Sequence, residues 1–381
     1  MDKKFFMGIA AMAALTLVSC SSDDLDSFSD NSSKNEAISF DGYLGRSAVA
    51  VNGTRGSVET VATLKANGFG VFGKYTPTGG GQASNLFDNQ KVTYSTSTTP
   101  TESKWTYSPL KFWPSDGHID FLAYAPYDQS ITLTDGSKIN NFTVDEDIAK
   151  QKDLLWTNDM NHQIPANITS AKEKVKFQFH HALSRLGYKV TLSGDYSSSG
   201  ATFTVNKITL AGSPDGKTKK AFYKTGTIDL AKTDSKENLS KTNTPTGLWT
   251  ATTSADNKQN FDLVSSDQTL NQAGIKSGDN YLFVIPQDFS QTKIEGHDVD
   301  ELYVIVEYTI DYGGETGSVK NTVYKQIKKH FLQGNAYMLN LTLGLPIEFD
   351  VDVTGSGEAG VDGWGTDDGI NIGSNDTPWE R

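Results

Sequence analysis

Apolar and polar residues alternate with a two-residue period at many places along the chain, the pattern of a strand with one buried face. Val175-Lys176-Phe177-Gln178-Phe179-His180 alternates strictly, and Tyr337, Leu339, Leu341 and Leu343 share one face of another run. Other runs are more continuously apolar: Gly68 to Tyr75, Ile119 to Ala125, Tyr281 to Ile285 before Pro286, and the β-branched and aromatic stretch Tyr303 to Ile310. Between them stand turn-forming clusters such as Gly79-Gly80-Gly81, Asp135-Gly136-Ser137, Pro214-Asp215-Gly216 and Tyr312-Gly313-Gly314. No apolar periodicity of 3.6 residues persists beyond a turn or two. The pattern predicts an all-β chain of mostly antiparallel sheets, packed face to face as sandwiches.

At 381 residues the chain is too long for one small module and suits two domains. The polar stretch Asn161 to Lys174, which contains Pro165, marks the expected boundary, with one domain over 37–165 and a second over 175–345. A net charge of −12 excludes the clustered cationic footprint that nucleic acid requires, so no nucleic-acid partner is expected. A single cysteine excludes an internal disulfide framework and any multi-cysteine metal site.

That cysteine sits at the end of a leader. Lys3 and Lys4 precede an apolar run from Phe5 to Val18, shorter than the ~20 residues of a membrane-spanning helix, so residues 1–19 read as a signal peptide. Leu17-Val18-Ser19-Cys20 resembles the bacterial lipobox, which makes Cys20 the expected lipidation site and the outer membrane the expected anchor. The polar residues 20–36, with only Leu25 and Phe28 large and apolar, read as a tether. Their acidic start resembles the surface-export signal of Bacteroidales lipoproteins.

Catalytic and metal chemistry find little support. Gly-x-Ser-x-Gly, HExxH and P-loop patterns are absent, and no cofactor is expected. Asp350-Val351-Asp352 opens like a calcium loop, but its twelfth position is Val361 and not Glu. His180 and His181 are neighbours on a strand, point to opposite faces and cannot share a metal. Trp105, Trp113, Trp156 and Trp249 could line a glycan platform, although large aromatics in sandwiches are more often core.

Several blocks together resemble the fimbrillin family, subunits of the Bacteroidales type V pilus. They are Ala37-Ile38-Ser39-Phe40 followed by Thr54-Arg55-Gly56, then Phe69-Gly70-Val71-Phe72, Trp105-Thr106-Tyr107 with Phe112-Trp113-Pro114, and Asp120 to Pro126. Phe179 to Leu186, Ile285-Pro286-Gln287 and Gly334 to Leu341 complete the series. The resemblance implies two transthyretin-like β-sandwich domains in tandem and a structural, non-enzymatic role in a cell-surface pilus. It also implies lipoprotein export, cleavage by an arginine-specific protease, and polymerisation with other pilus subunits, identical or different, by donor-strand exchange. The alternative is a monomeric surface lipoprotein that binds glycan or host protein.

The residues give that resemblance specific positions. The chain has four arginines, Arg46, Arg55, Arg185 and Arg381, and the first two follow the Ile38–Phe40 segment. Cleavage is expected after Arg55, or else Arg46, releasing a strand that carries Ile38 and Phe40. The acidic segment 346–381 holds the candidate donor: Ile347, Phe349, Val351 and Val353 alternate with Glu348, Asp350 and Asp352. The same alternation would serve an edge strand of the chain's own second domain, and it leaves stalk and tip roles both open.

Overall fold

The computed structural model describes residues 37–44, 58–96, 105–164, 174–232, 248–251, 254–278, 281–291, 299–314, 317–344, 350–355 and 370–371. Cys20, Arg46, Arg55, Ile347 and Phe349 lie outside these residues. The first half runs β1 (Phe40–Leu44), α1 (Val61–Asn67), β2 (Phe69–Thr76), β3 (Ser84–Tyr94), β4 (Trp105–Thr106), β5 (His118–Ala125), β6 (Lys138–Thr143), β7 (Leu155–Gln163) and β8 (Val175–His181). Then follow β9 (Ser184–Leu192), β10 (Thr202–Ala211), β11 (Phe222–Tyr223), β12 (Thr225–Asp229), β13 (Trp249–Ala251), β14 (Lys258–Gln259), β15 (Phe261–Val264), β16 (Gln268–Leu270) and β17 (Ile275–Lys276). The last strands are β18 (Leu282–Val284), β19 (Gln287–Asp288), β20 (Tyr303–Asp311), β21 (Ser318–Gln326), β22 (His330–Phe331), β23 (Ala336–Leu343), β24 (Asp350–Gly355) and β25 (Ile370–Asn371).

The all-β expectation holds. The periodic segments became β2, β5, β8, β18, β20 and β23, and Tyr337, Leu339, Leu341 and Leu343 are all buried. The turn clusters supply left-handed backbone at Gly79, Gly80, Gly136, Gly216, Gly313 and Gly314, the conformation glycine adopts without a Cβ penalty. The sequence pattern did not reveal α1, the only α-helix among the described residues. It is two turns long and is started by a capping box in which Thr60 and Thr63 satisfy each other's backbone N–H groups.

Seven strands form the first sheet in the order β1-β8-β7-β5-β2-β3-β4. It curls until its ends approach: Trp105 on β4 donates its indole N–H to the carbonyl of Gly42 on β1, 3.2 Å away. The inner face packs Phe69, Val71, Phe87, Phe121, Phe177 and Phe179 into one core. The outer face carries Phe72, Leu122, Tyr124 and Trp156, which join a second core. Both faces of β2 are therefore buried, and this accounts for its nearly continuous apolar text.

The second core lies between two further sheets. One is β15-β10-β20-β21, with β16 also on β10; the other is β17-β9-β23-β24-β25, with β18 also on β9. Leu186, Tyr188 and Val190 of β9 and Leu339 and Leu341 of β23 share the core with Phe203, Val205, Ile208 and Leu210 of β10 and with Val304, Val306 and Tyr308 of β20, a sandwich arrangement.

The pairing differs from the division placed at 165–175. Val175–His181, the expected first strand of the second domain, is hydrogen-bonded to β1 and β7 in the first sheet. Its inward residues Phe177 and Phe179 stack among the aromatic rings of that core. Conversely, β6 leaves the first sheet and pairs with β12. A polar stretch marks a loop; it does not say on which side the next strand will pair.

Candidate functional site

The strand β1 is built differently from its neighbours. It lies at the end of the first sheet and pairs with β8 in parallel, Phe40 opposite Val175 and Leu44 opposite Phe179. Ile38, Phe40 and Gly42 point inward, while Asp41 and Tyr43 face out. Ile38 and Phe40 are each 1% exposed, nearly as deep as the fully buried Phe69, Phe121, Phe177 and Phe179 of the core they enter. The Phe40 ring stacks on Phe177 at 5.5 Å and meets Phe87, Tyr107 and Phe121 at 5.3, 5.4 and 5.9 Å. Burying these two side chains contributes about 3–6 kcal/mol before ordering costs.

Polar contacts hold the strand along both edges. The Ile38 N–H donates to the Lys111 carbonyl at 2.8 Å, and the Tyr107 hydroxyl donates to the Ile38 carbonyl at 2.7 Å. On the other side the Val175 N–H donates to the Ser39 carbonyl at 2.9 Å. With the Trp105–Gly42 bond, β1 is thus a stave between β4 and β8. If it were absent, a row of backbone donors and acceptors on β8 and an aromatic-walled groove would face water.

The chain re-enters the described structure at Val58, close to a buried charged cluster. Glu59 donates its backbone N–H to Asp153 Oδ2 at 2.8 Å, and the His181 imidazole Nδ1 lies 2.9 Å from the same oxygen. Asp153 is 1% exposed. The Glu59 carboxylate accepts from Thr63 Oγ1 at 2.6 Å and from Asn67 Nδ2 at 3.1 Å. Burial pushes the Glu59 carboxyl up to about 7; the Thr63 bond opposes the shift, the Asp153 charge adds to it, and the Asn67 bond opposes it. Nothing in the local pattern of apolar residues marks this cluster, because its members are 28 to 122 positions apart. Its effect is to pin the chain downstream of residue 57 to the sheet, while β1 upstream is held only by the contacts above.

The raised Glu59 carboxyl gives a test. Folded Glu59 keeps its proton up to about pH 7, whereas in the unfolded chain it is released near 4.5. The folded state therefore binds more protons between those values, and stability falls as pH rises through that window, by up to about 3 kcal/mol. Urea unfolding at pH 5 and pH 8 should show this loss in the native chain, and Glu59→Gln should reduce it. An unaltered pH slope in that variant would contradict the assignment.

Arg185 lies inside β9, flanked by Phe283 of β18 and Ala336 of β23, with its guanidinium 4.3 Å from the Tyr281 ring centre. Val351 and Val353 fall in β24, paired antiparallel with Leu341 and Leu339 of the same chain. Trp105, Trp113, Trp156 and Trp249 are all buried, so they form no exposed aromatic platform. His181 is buried against Asp153, and His180 is turned the other way toward Trp156.

Comparison with known proteins places this arrangement among similar chains. A family model described as fimbrillin-like matches residues 54–364. The fimbrium subunit Fim1C of Phocaeicola vulgatus is 27% identical over 391 residues, spanning 94% of this chain and 96% of that protein. The crystal structure of a fimbrial protein from Bacteroides vulgatus has the same fold, with a TM-score of 0.59 at 22% identity, covering 84% of this chain and 99% of that one.

Proposed function

The chain belongs to the fimbrillin-like family, and from that premise we propose that it is a pilus subunit whose strand β1 is cut away so that a strand of another subunit can take its place. It is a structural protein of the cell surface, and not an enzyme. The observation that carries the reading is the position of β1: a terminal strand, paired on one edge in parallel, whose buried Ile38 and Phe40 complete an aromatic core. A partner strand would recover both the backbone bonds and the side-chain burial, which is the general logic of strand addition.

In this reading Cys20 carries the lipid that holds the precursor at the outer membrane until processing. The cut falls after Arg55, or else after Arg46, between β1 and the pinned segment at Glu59. Arg185, central in its sheet, is protected from a protease that needs an extended substrate. The family match begins at Thr54, so β1 lies upstream of it. The donor comes from the C-terminal segment that contains Val351 and Val353, alongside Ile347 and Phe349. Release of that segment from β23 makes a stalk subunit; its retention there makes a tip.

The test is processing followed by assembly. Purified precursor treated with an arginine-specific protease should yield a chain beginning at Gly56 (or Ser47) and form ladders that resist SDS without heating. Arg46→Ala combined with Arg55→Ala should abolish both. A doubly substituted precursor that still forms ladders would overturn the proposal.

A further inference from the structure

The three inward positions of β1 admit different occupants. Ile38 and Phe40 fill space, whereas position 42 has none to fill. A Cβ on Gly42 would stand 2.9 Å from Phe69 Cε1 and 3.4 Å from Phe179 Cε2. Gly42 does not use left-handed backbone, so the site demands the absence of a side chain and not glycine's freedom. The rings have little room to retreat. Phe69 and Phe179 are 0% exposed, and Phe69 is packed against Trp105, Phe177 and Phe179 with ring centres 4.9, 5.9 and 5.2 Å away. The Trp105 indole also holds the carbonyl of Gly42, which keeps the backbone there close to the ring wall. Running parallel to β8, the groove therefore reads apolar, any, apolar, any, glycine.

We propose that the strand entering this groove is segment 351–355 of a second copy of the chain, with Val351, Val353 and Gly355 at the positions of Ile38, Phe40 and Gly42. The inference rests on the strand-exchange reading and fixes its partner and register. Of the seven glycines after Pro346, Gly355 alone has β-branched residues two and four places before it. The register differs by four residues from the one that overlays Ile347-Glu348-Phe349-Asp350 on Ile38-Ser39-Phe40-Asp41. That overlay matches two side chains by size but sets Val351 against Phe69 and Phe179, where a single methyl is already too close. Valine in the Phe40 space leaves a void, which weakens the complex; a branched side chain at position 42 overlaps rings held by their neighbours. Donation exchanges the antiparallel pairing of β24 with β23 for parallel pairing with β8 of the next copy.

Disulfide trapping distinguishes the registers. Asp41 is paired with Lys176, and in the proposed register Thr354 takes its place, whereas in the alternative overlay Asp350 does. Cleaved protein carrying Cys20→Ser and Lys176→Cys would be mixed with cleaved protein carrying Cys20→Ser and either Thr354→Cys or Asp350→Cys, oxidised, and resolved on non-reducing gels. Thr354→Cys should give covalent dimers in at least ~10-fold higher yield, the difference that ~1.4 kcal/mol in register would produce. A higher yield from Asp350→Cys, or ladders with neither cross-link, overturns the register and leaves strand exchange standing. Absence of ladders from the cleaved wild-type chain overturns strand exchange itself, and the register with it. As a second measurement, Val353→Phe should refill the Phe40 space and slow ladder dissociation in denaturant by at least ~10-fold; an unchanged rate counts against the register.

Discussion

A Phe40→Ala precursor should lose about 3–5 kcal/mol of unfolding stability, the usual cost of emptying an aromatic site in a close-packed core. The expectation rests on the four rings around Phe40 and on its 1% exposure. Urea unfolding of the uncleaved chain, followed by tryptophan fluorescence, measures it. The strand-exchange reading adds a second, sharper expectation. Once the precursor is cleaved and assembled, residue 40 has left, so polymers of the variant should match wild-type polymers in stability. A variant whose polymers are weakened as much as its precursor would show that β1 stays in the mature subunit. A precursor unaffected by the change would mean that the Phe40 pocket is not a true part of the core.

Fastening β1 to β8 should abolish assembly without affecting the fold. Asp41 and Lys176 are register partners across that pair, and both face outward. A precursor with Asp41→Cys and Lys176→Cys, in a Cys20→Ser background, should oxidise to a linked strand. Cleavage would then proceed normally at the arginine, but the released segment would remain attached and the groove filled. Ladder formation should fall by at least ~100-fold, which needs the lock to hold back only ~3 kcal/mol of exchange. Added reductant should restore it to the wild-type level. Ladders of normal abundance under oxidising conditions, with the disulfide verified by mass spectrometry, would rule out β1 as the strand that leaves. The reversibility separates this outcome from simple misfolding, since a misfolded chain has no reason to recover when the link is reduced.

Much of the architecture was legible from two-residue alternation and turn chemistry. Val175, Phe177 and Phe179 point inward as their alternation requires, and the glycine clusters supply the left-handed turns. The continuous apolar run of β2 was readable as a strand but not as one buried on both faces, because that depends on Phe72 finding the second core. The tryptophans were readable as core from their size and kind. The charged cluster of Glu59, Asp153 and His181 was not, since each member alone looks like an ordinary polar residue and only their meeting makes the site.

Residue order alone sets which side chains face inward, where the chain turns, and that arginine is rare and follows the Ile38–Phe40 segment. These are local properties: strand alternation, the steric permissiveness of glycine and simple composition act within a few residues. It takes the folded chain to make β8 pair with β1, β1 run parallel at the sheet's end, Trp105 close the curl, and position 42 lack room for a side chain. Those outcomes depend on which rings share a finite volume and which backbone edges remain unpaired. Both are set by residues far apart in the chain, and neither is encoded in any short stretch of it.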